Sequence, residues 1–387
     1  MQLAKRMSRL GSEGAFDVLA RARALEALGH HVIHMEIGEP DFDTPSNVVE
    51  SGIEALRAGQ THYSPSAGIP ELREAIAERV GRSRGMSVDP KHVVVVPGAK
   101  PVMYFVMTAM LEEGDEVIYP DPGFPIYASM IDFLGAVRRP MNLRSSNDWR
   151  FDAEEFKALL SSKTKLIILN TPHNPTGAVM TLGDLQVIAD AARERDILLL
   201  SDEIYERIIY HGLHVSIAAL PGMQERTVIL DGFSKTYAMT GWRLGYGVMP
   251  LWLASAVEQL MSNSNSCVAT FTQLAGVQAL RGPQDDVEHM VAQFRERRDV
   301  IVGGLNQIPG FRCSNPQGAF YAFPDIAATG KSSTELASYL LNEAHVACLR
   351  GDGFGANGVG HLRLAYAQST VVIEDALDRI DRAVRRL

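Results

Sequence analysis

Short apolar runs alternate with amphipathic stretches along most of this chain. The runs fall at 93–96 (VVVV), 116–119 (EVIY), 166–169 (LIIL), 197–200 (ILLL) and 227–230 (TVIL). Between them lie segments such as 71–80 (ELREAIAERV) and 182–196 (LGDLQVIADAARERD), whose apolar positions recur at helical spacing. Runs without a polar face predict a mostly parallel sheet covered by helices on both sides, an α/β arrangement. Upstream, Phe16, Leu19, Ala20 and Leu25 predict a helix over 14–28 with Gly29 as its stop, and 37–45 (IGEPDFDTP) reads as an irregular crossing segment. From about residue 284 the pattern changes. A long helix over 285–305 leads to short strands in GAFYAF, VACL and HLRLAYA and a closing amphipathic helix over 371–387. The predicted organisation is a large α/β domain at 46–283 and a smaller α+β domain. The smaller one is built from the N-terminal arm, 1–45, and the C-terminal segment, 284–387.

Composition narrows the classes. With 387 residues, 46% hydrophobic and 21% charged, the chain has the balance of a folded enzyme with a large core. A net charge of −9 opposes a nucleic-acid clamp. Cys267, Cys313 and Cys348 lie far apart, which fits neither a disulfide framework nor a zinc site and suits a reducing compartment. No apolar run approaches the roughly 20 residues of a membrane helix, and the N-terminus lacks the apolar core of a signal peptide. A cytoplasmic protein with no membrane or nucleic-acid partner is expected.

The chemistry sits at the strand ends, where open parallel sheets bind ligands. The five runs are followed by PGAK (97–100), PDPGFPIY (120–127), NTPHNPTG (170–177), SDEIYE (201–206) and DGFSKTYAMTGWRLG (231–245). Lys235, placed where its pKa can be lowered, can form a Schiff base with an aldehyde. Asp202 follows an apolar run directly, so its carboxylate needs a cation, and a protonated pyridine nitrogen is one. Lysine plus aspartate is the arrangement that pyridoxal phosphate uses. Gly98 and Ala99 keep a helix start open to a phosphate, and Arg243 can add a charge-assisted contact.

Over nearly its whole length the chain resembles the class I/II pyridoxal-phosphate aminotransferases of fold type I. The resemblance rests on GEPDFDTP (38–45), THYSPSAGIPELREAI (61–76), PGAK, NTPHNPTG, SDEIYE, FSKTYAMTGWRLGY (233–246) and HLRLAYA (361–367). It implies that Lys235 carries the cofactor and then moves the proton between Cα and the cofactor. Asp202 would hold the ring nitrogen, Asn174 and Tyr205 the ring hydroxyl, and Phe124 would stack on the ring. Gly98, Ala99, Lys100, Ser234 and Arg243 would surround the phosphate. Arg363 would grip the substrate α-carboxylate, with Gly38 and Asn174 beside it. Tyr63 would reach the phosphate of the other subunit, which implies a homodimer with shared sites.

The implied reaction moves an amino group from an L-amino acid to a 2-oxo acid, 2-oxoglutarate by family habit, in two half-reactions. A carbon–sulfur lyase or decarboxylase on the same fold is the alternative. A ligand-sensing regulator would need an added helix-turn-helix domain, for which the sequence before residue 38 leaves no room. Two departures from the family stand out: Gly232 replaces a hydroxyl residue expected on the phosphate, and Arg350 replaces a proline near the site's mouth. Arg350 is the candidate cation for a distal substrate carboxylate, with a structural role on a solvent-facing loop as the alternative. Three further features read as structural. Residues 351–356 (GDGFGA) mimic a dinucleotide fingerprint too close to the C-terminus. His211 and His214 form a polar turn without a third ligand, so no metal is expected. Arg295, Arg297 and Arg298 alternate with acids as a solvated helix face.

Overall fold

The computed structural model describes residues 1–11 and 14–387. Its strands, in chain order, are β1 (Ile33–His34), β2 (Val93–Val96), β3 (Glu116–Asp121), β4 (Val137–Asn142), β5 (Thr164–Asn170), β6 (Leu198–Asp202), β7 (Thr227–Gly232), β8 (Gly245–Val248), β9 (Tyr321–Ala322), β10 (Val346–Ala347), β11 (Leu349–Arg350) and β12 (Leu362–Ala365). A seven-stranded sheet has the order β2-β8-β7-β6-β5-β3-β4. Only β8 runs against its neighbours; the other pairs are parallel. Consequently β2, β3, β5, β6 and β7 all end at the same edge.

The lack of a polar face in the apolar runs has a direct cause. Leu166 and Ile168 of β5 enter the core on one side of the sheet, while Ile167 and Leu169 enter the core on the other. Helices Pro70–Arg84, Lys100–Met110 and Thr270–Arg281 cover the first side, and Leu182–Arg195 covers the second. Two strands of this sheet were not expected. β4 is an edge strand with exposed Val137 and Arg138, and its proline interrupts any apolar alternation. β8 contains Gly245 and Gly247, whose missing side chains let neighbouring backbone and side chains approach.

The chain termini meet beside the sheet. β1 pairs with β10 in parallel, Ile33 opposite Val346, and Ala22 and Val32 pack on Leu341 and Ala347. Helices Asp285–Leu305 and Thr370–Val384 share a core with the antiparallel β11-β12-β9 sheet, built on Phe294, Tyr321, Tyr366 and Ile373. The solvated-face reading of the arginine cluster is corrected here. Arg295 is exposed, but Arg297 and Arg298 are buried. Arg297 pairs with Asp41 at 2.6 Å and lies over Phe42, and Arg298 lies over Tyr210. Aromatic faces take up what sequence alternation assigned to water. Residues 351–354 form a 3-10 turn after β11, not a helix start.

Candidate active site

The ends of β6 and β7 present Asp202 and Lys235. Phe233 and Thr236, both buried, anchor the turn carrying Lys235, and the lysine Nζ donates to the Gly38 carbonyl at 2.5 Å. A Cβ at position 38 would collide with the Tyr321 hydroxyl, so glycine is what lets that ring pack here. That hydroxyl lies 2.6 Å from the hydroxyl of Tyr205, whose own ionisation is pushed far up by burial.

Asp202 is buried, with Oδ2 accepting from the Tyr127 hydroxyl at 2.5 Å and Oδ1 from the Ile204 N–H at 3.2 Å. Burial raises its carboxyl to about 6, and the charges of Asp231 and Glu203 add to this against the two hydrogen bonds. Its backbone carbonyl accepts from Asn170, whose side-chain oxygen in turn receives the Asn174 N–H at 2.8 Å.

Arg363 projects from β12. Its Nη1 donates to Asn174 Oδ1 at 3.2 Å and Nη2 to the Glu36 carbonyl, while Tyr321 and Phe354 flank the guanidinium. Its buried Nε has no partner among the described residues. An orphan N–H on a planar fork suits a carboxylate.

At the other end, Ala99 caps helix Lys100–Met110 without a capping side chain, which leaves the leading N–H groups to an anion. Gly98, at φ +82°, lies against Arg243, and a Cβ at 98 would enter the guanidinium. Arg243 Nη1 donates to the Thr240 carbonyl at 2.8 Å. Lys100 Nζ sits 5.3 Å from the Phe124 ring centre.

One cavity of about 430 Å³ brings together Gly38, Ala99, Lys100, Phe124, Asn174, Asp202, Tyr205, Ser234, Lys235, Arg243 and Arg363. Gly98 stands behind its wall. Tyr63 is 89% exposed and lies outside the cavity. A second cavity, of about 370 Å³, adjoins the first at Phe124 and Arg363 and carries Arg350, which pairs with Asp352 at 3.2 Å. Gly232 does not line the cavity. It packs on Gly245, where a Cβ would come 3.0 Å from the glycine Cα.

Sequence reasoning missed Tyr127, Asn170 and Tyr321. Tyr127 stands three residues beyond Phe124, a spacing that brings two side chains to one side of a helix's first turn; Tyr321 carried no signal. His214, expected in a polar turn, instead has its side chain buried 3.0 Å from Glu203. Among the described residues no group of three or more His, Cys, Asp or Glu could hold a metal, and no helix is long and apolar enough to cross a membrane.

Residues 30–380 match the family described as aminotransferase class I and II. The aspartate aminotransferase of Bacillus sp. (strain YM-2) is 40% identical over 390 residues, 99% of this chain and 99% of that one. The aromatic-amino-acid aminotransferase 2 of Thermococcus litoralis is 40% identical over 358 residues, 92% of each chain. The crystal structure of the aspartate aminotransferase from Rhizobium meliloti superposes with a TM-score of 0.95 at 37% identity, covering 100% of both chains. The chain belongs to the class I and II aminotransferases and has their fold type I architecture. These likenesses support a transferase of amino groups and not the lyase or decarboxylase alternative. Membership of the family implies pyridoxal phosphate as cofactor.

Proposed function

We propose that this aminotransferase holds pyridoxal 5′-phosphate in the 430 Å³ cavity and moves the amino group of an L-amino acid to a 2-oxo acid, with 2-oxoglutarate as acceptor. The observation that carries this reading is the convergence of the Lys235 amine, the buried Asp202 carboxylate and the Arg363 guanidinium on one cavity. The residues fit the cofactor. A carboxylate raised to about 6 by burial accommodates a cationic ring nitrogen. Ala99, Ser234 and Arg243 surround a place for a phosphate, with Gly98 keeping Arg243 close.

When bound, the cofactor supplies an aldehyde for amines and a ring that withdraws electrons. Asp202, fixed by Tyr127 and the Ile204 N–H, keeps the ring nitrogen charged. Asn174 and Tyr205 would hydrogen-bond the ring hydroxyl, and Phe124 would lie beside the ring. Arg363 would hold the substrate α-carboxylate through its guanidinium. Lys235 Nζ takes and returns the proton at the substrate Cα.

Aspartate is the donor to test first, because full-length relatives are named aspartate aminotransferases, and an aromatic donor follows. The protein works as a cytoplasmic homodimer in which Tyr63 completes the partner's phosphate site, consistent with its exposure. The test is a panel of amino donors assayed with 2-oxoglutarate in the parent and in Lys235→Ala. The variant should lose the cofactor's visible absorbance and more than about a thousandfold in turnover. Absorbance and turnover equal to the parent's would defeat the reading.

A further inference from the structure

Behind the strand ends, on the side away from the cavity, lies a second set of charges that the reaction does not touch. Arg84, the last residue of helix Pro70–Arg84, has a fully buried guanidinium. Its Nε donates to Glu203 Oε2 at 2.9 Å and its Nη2 to Asp231 Oδ2 at 2.7 Å. Its Nη1 lies 3.4 Å from Glu206, which also pairs with Arg79 at 2.5 Å. Glu203 is the residue after Asp202, and Asp231 stands four before Lys235. Asp202 pairs with Leu230 across β6 and β7, and the Glu203 N–H donates to the Leu230 carbonyl at 2.9 Å. One planar cation therefore grips the ends of both strands that present the reactive side chains.

We infer that Arg84 is a positioning residue for this site: its rigid fork holds β6 and β7 at the spacing that sets the Asp202 carboxylate against the Lys235 amine. The inference rests on the function proposed above. Other groups face the fork from every side and keep its carboxylates engaged. Tyr246 of β8 donates to Asp231 at 3.0 Å, Ser216 donates to Glu203 at 2.5 Å, and His214 lies 3.0 Å from Glu203. Glu203 is buried, yet the charges of His214 and Arg84 hold it down to about 2. Burial raises Asp231 against the pull of Arg84, with Glu206 adding to the rise. Burial is the main cause of the rise at Asp202, and the charges of Asp231 and Glu203, the two carboxylates that Arg84 grips, add to it.

A lysine at 84 keeps the charge and loses the two-armed geometry, which separates positioning from charge balance. The measurements on cofactor-loaded Arg84→Lys are its melting temperature, the pH midpoint of the cofactor's visible absorbance, and kcat and KM for the best donor. The expected result is a folded protein whose absorbance midpoint moves by about half a pH unit or more. Its kcat should fall about tenfold, with KM changed less than about twofold. A midpoint and kcat equal to the parent's would overturn the inference, as would a kcat loss with an unmoved midpoint. Should Arg84→Lys fail to fold, Asp231→Glu keeps the charge while displacing one arm of the grip and is judged by the same outcomes. A parent that shows no cofactor absorbance would instead sink the proposed function, so the two failures are distinct.

Discussion

Asp202 and Glu203 are consecutive, buried and acidic, yet their carboxylates live under opposite conditions. Asp202 enters the cavity, where two hydrogen bonds fail to offset burial and its carboxyl rises to about 6. Glu203 turns to the rear of the sheet, where Arg84, His214, Ser201 and Ser216 hold it down to about 2 despite burial. Depth alone does not decide the charge of a buried acid; the neighbours do. The front carboxylate gains from a cation that a ligand brings, and the rear one is satisfied by the protein itself.

Breaking the rear half should have the largest effect. Glu203→Ala leaves the buried Arg84 guanidinium short of one counter-charge in a dry environment and should cost about 3–5 kcal/mol, read by urea unfolding at pH 7. A loss under about 1 kcal/mol would mean the rear charges are dispensable.

The front half should respond in the opposite direction. Because the folded carboxyl of Asp202 lies above its usual value of 3.8, the native state binds more protons, and stability falls as pH rises from about 4 through about 6. Asp202→Asn removes that penalty. The cofactor-free variant should gain at most about 3 kcal/mol at pH 7–8 and nothing near pH 4, while transamination is lost. Unfolding curves that show no pH-dependent gain would contradict the comparison.

Tyr127→Phe sharpens the contrast by deleting one hydrogen bond to a charged group, at a cost of about 1.5–3 kcal/mol. That bond favours the ionised acid, so its loss should move the acid limb of cofactor binding to higher pH. An unmoved limb would separate the tyrosine from the acid's charge. The smallest effect belongs to the pair of exposed Arg350 and half-buried Asp352. Arg350→Ala should change stability by less than about 1 kcal/mol and leave the ratio of acidic to neutral donors unchanged. A fall in that ratio would bring the side cavity into substrate recognition.

Much of this was legible in the chain. The buried strands announce themselves because both faces are covered, and the ionisable groups at their ends follow in register with the sheet edge. Lys235, Asp202 and Asn174 meet in one cavity as their strand-end positions imply, and Arg363, which only the resemblance pointed to, joins them from β12. What stayed hidden depends on contacts between distant segments. Arg84 sits in an ordinary helical run, and only the fold places it 147 residues from Asp231 in sequence and 2.7 Å away in space. Arg297 and Arg298 look solvated because acids follow them, yet aromatic rings from elsewhere cover them. β8 carries too many glycines to read as a strand until its partners are known.

The Glu36 and Gly38 carbonyls receive Arg363 and Lys235 respectively, so the two cations assigned above to the substrate and the cofactor take their bearings from peptide oxygens two residues apart. Residues 36–38 are thus a shared datum for the amine and the guanidinium, although those groups lie 128 residues apart in the chain. Inserting a single residue there would detune proton handling and carboxylate capture together, whereas a change elsewhere could alter either one alone.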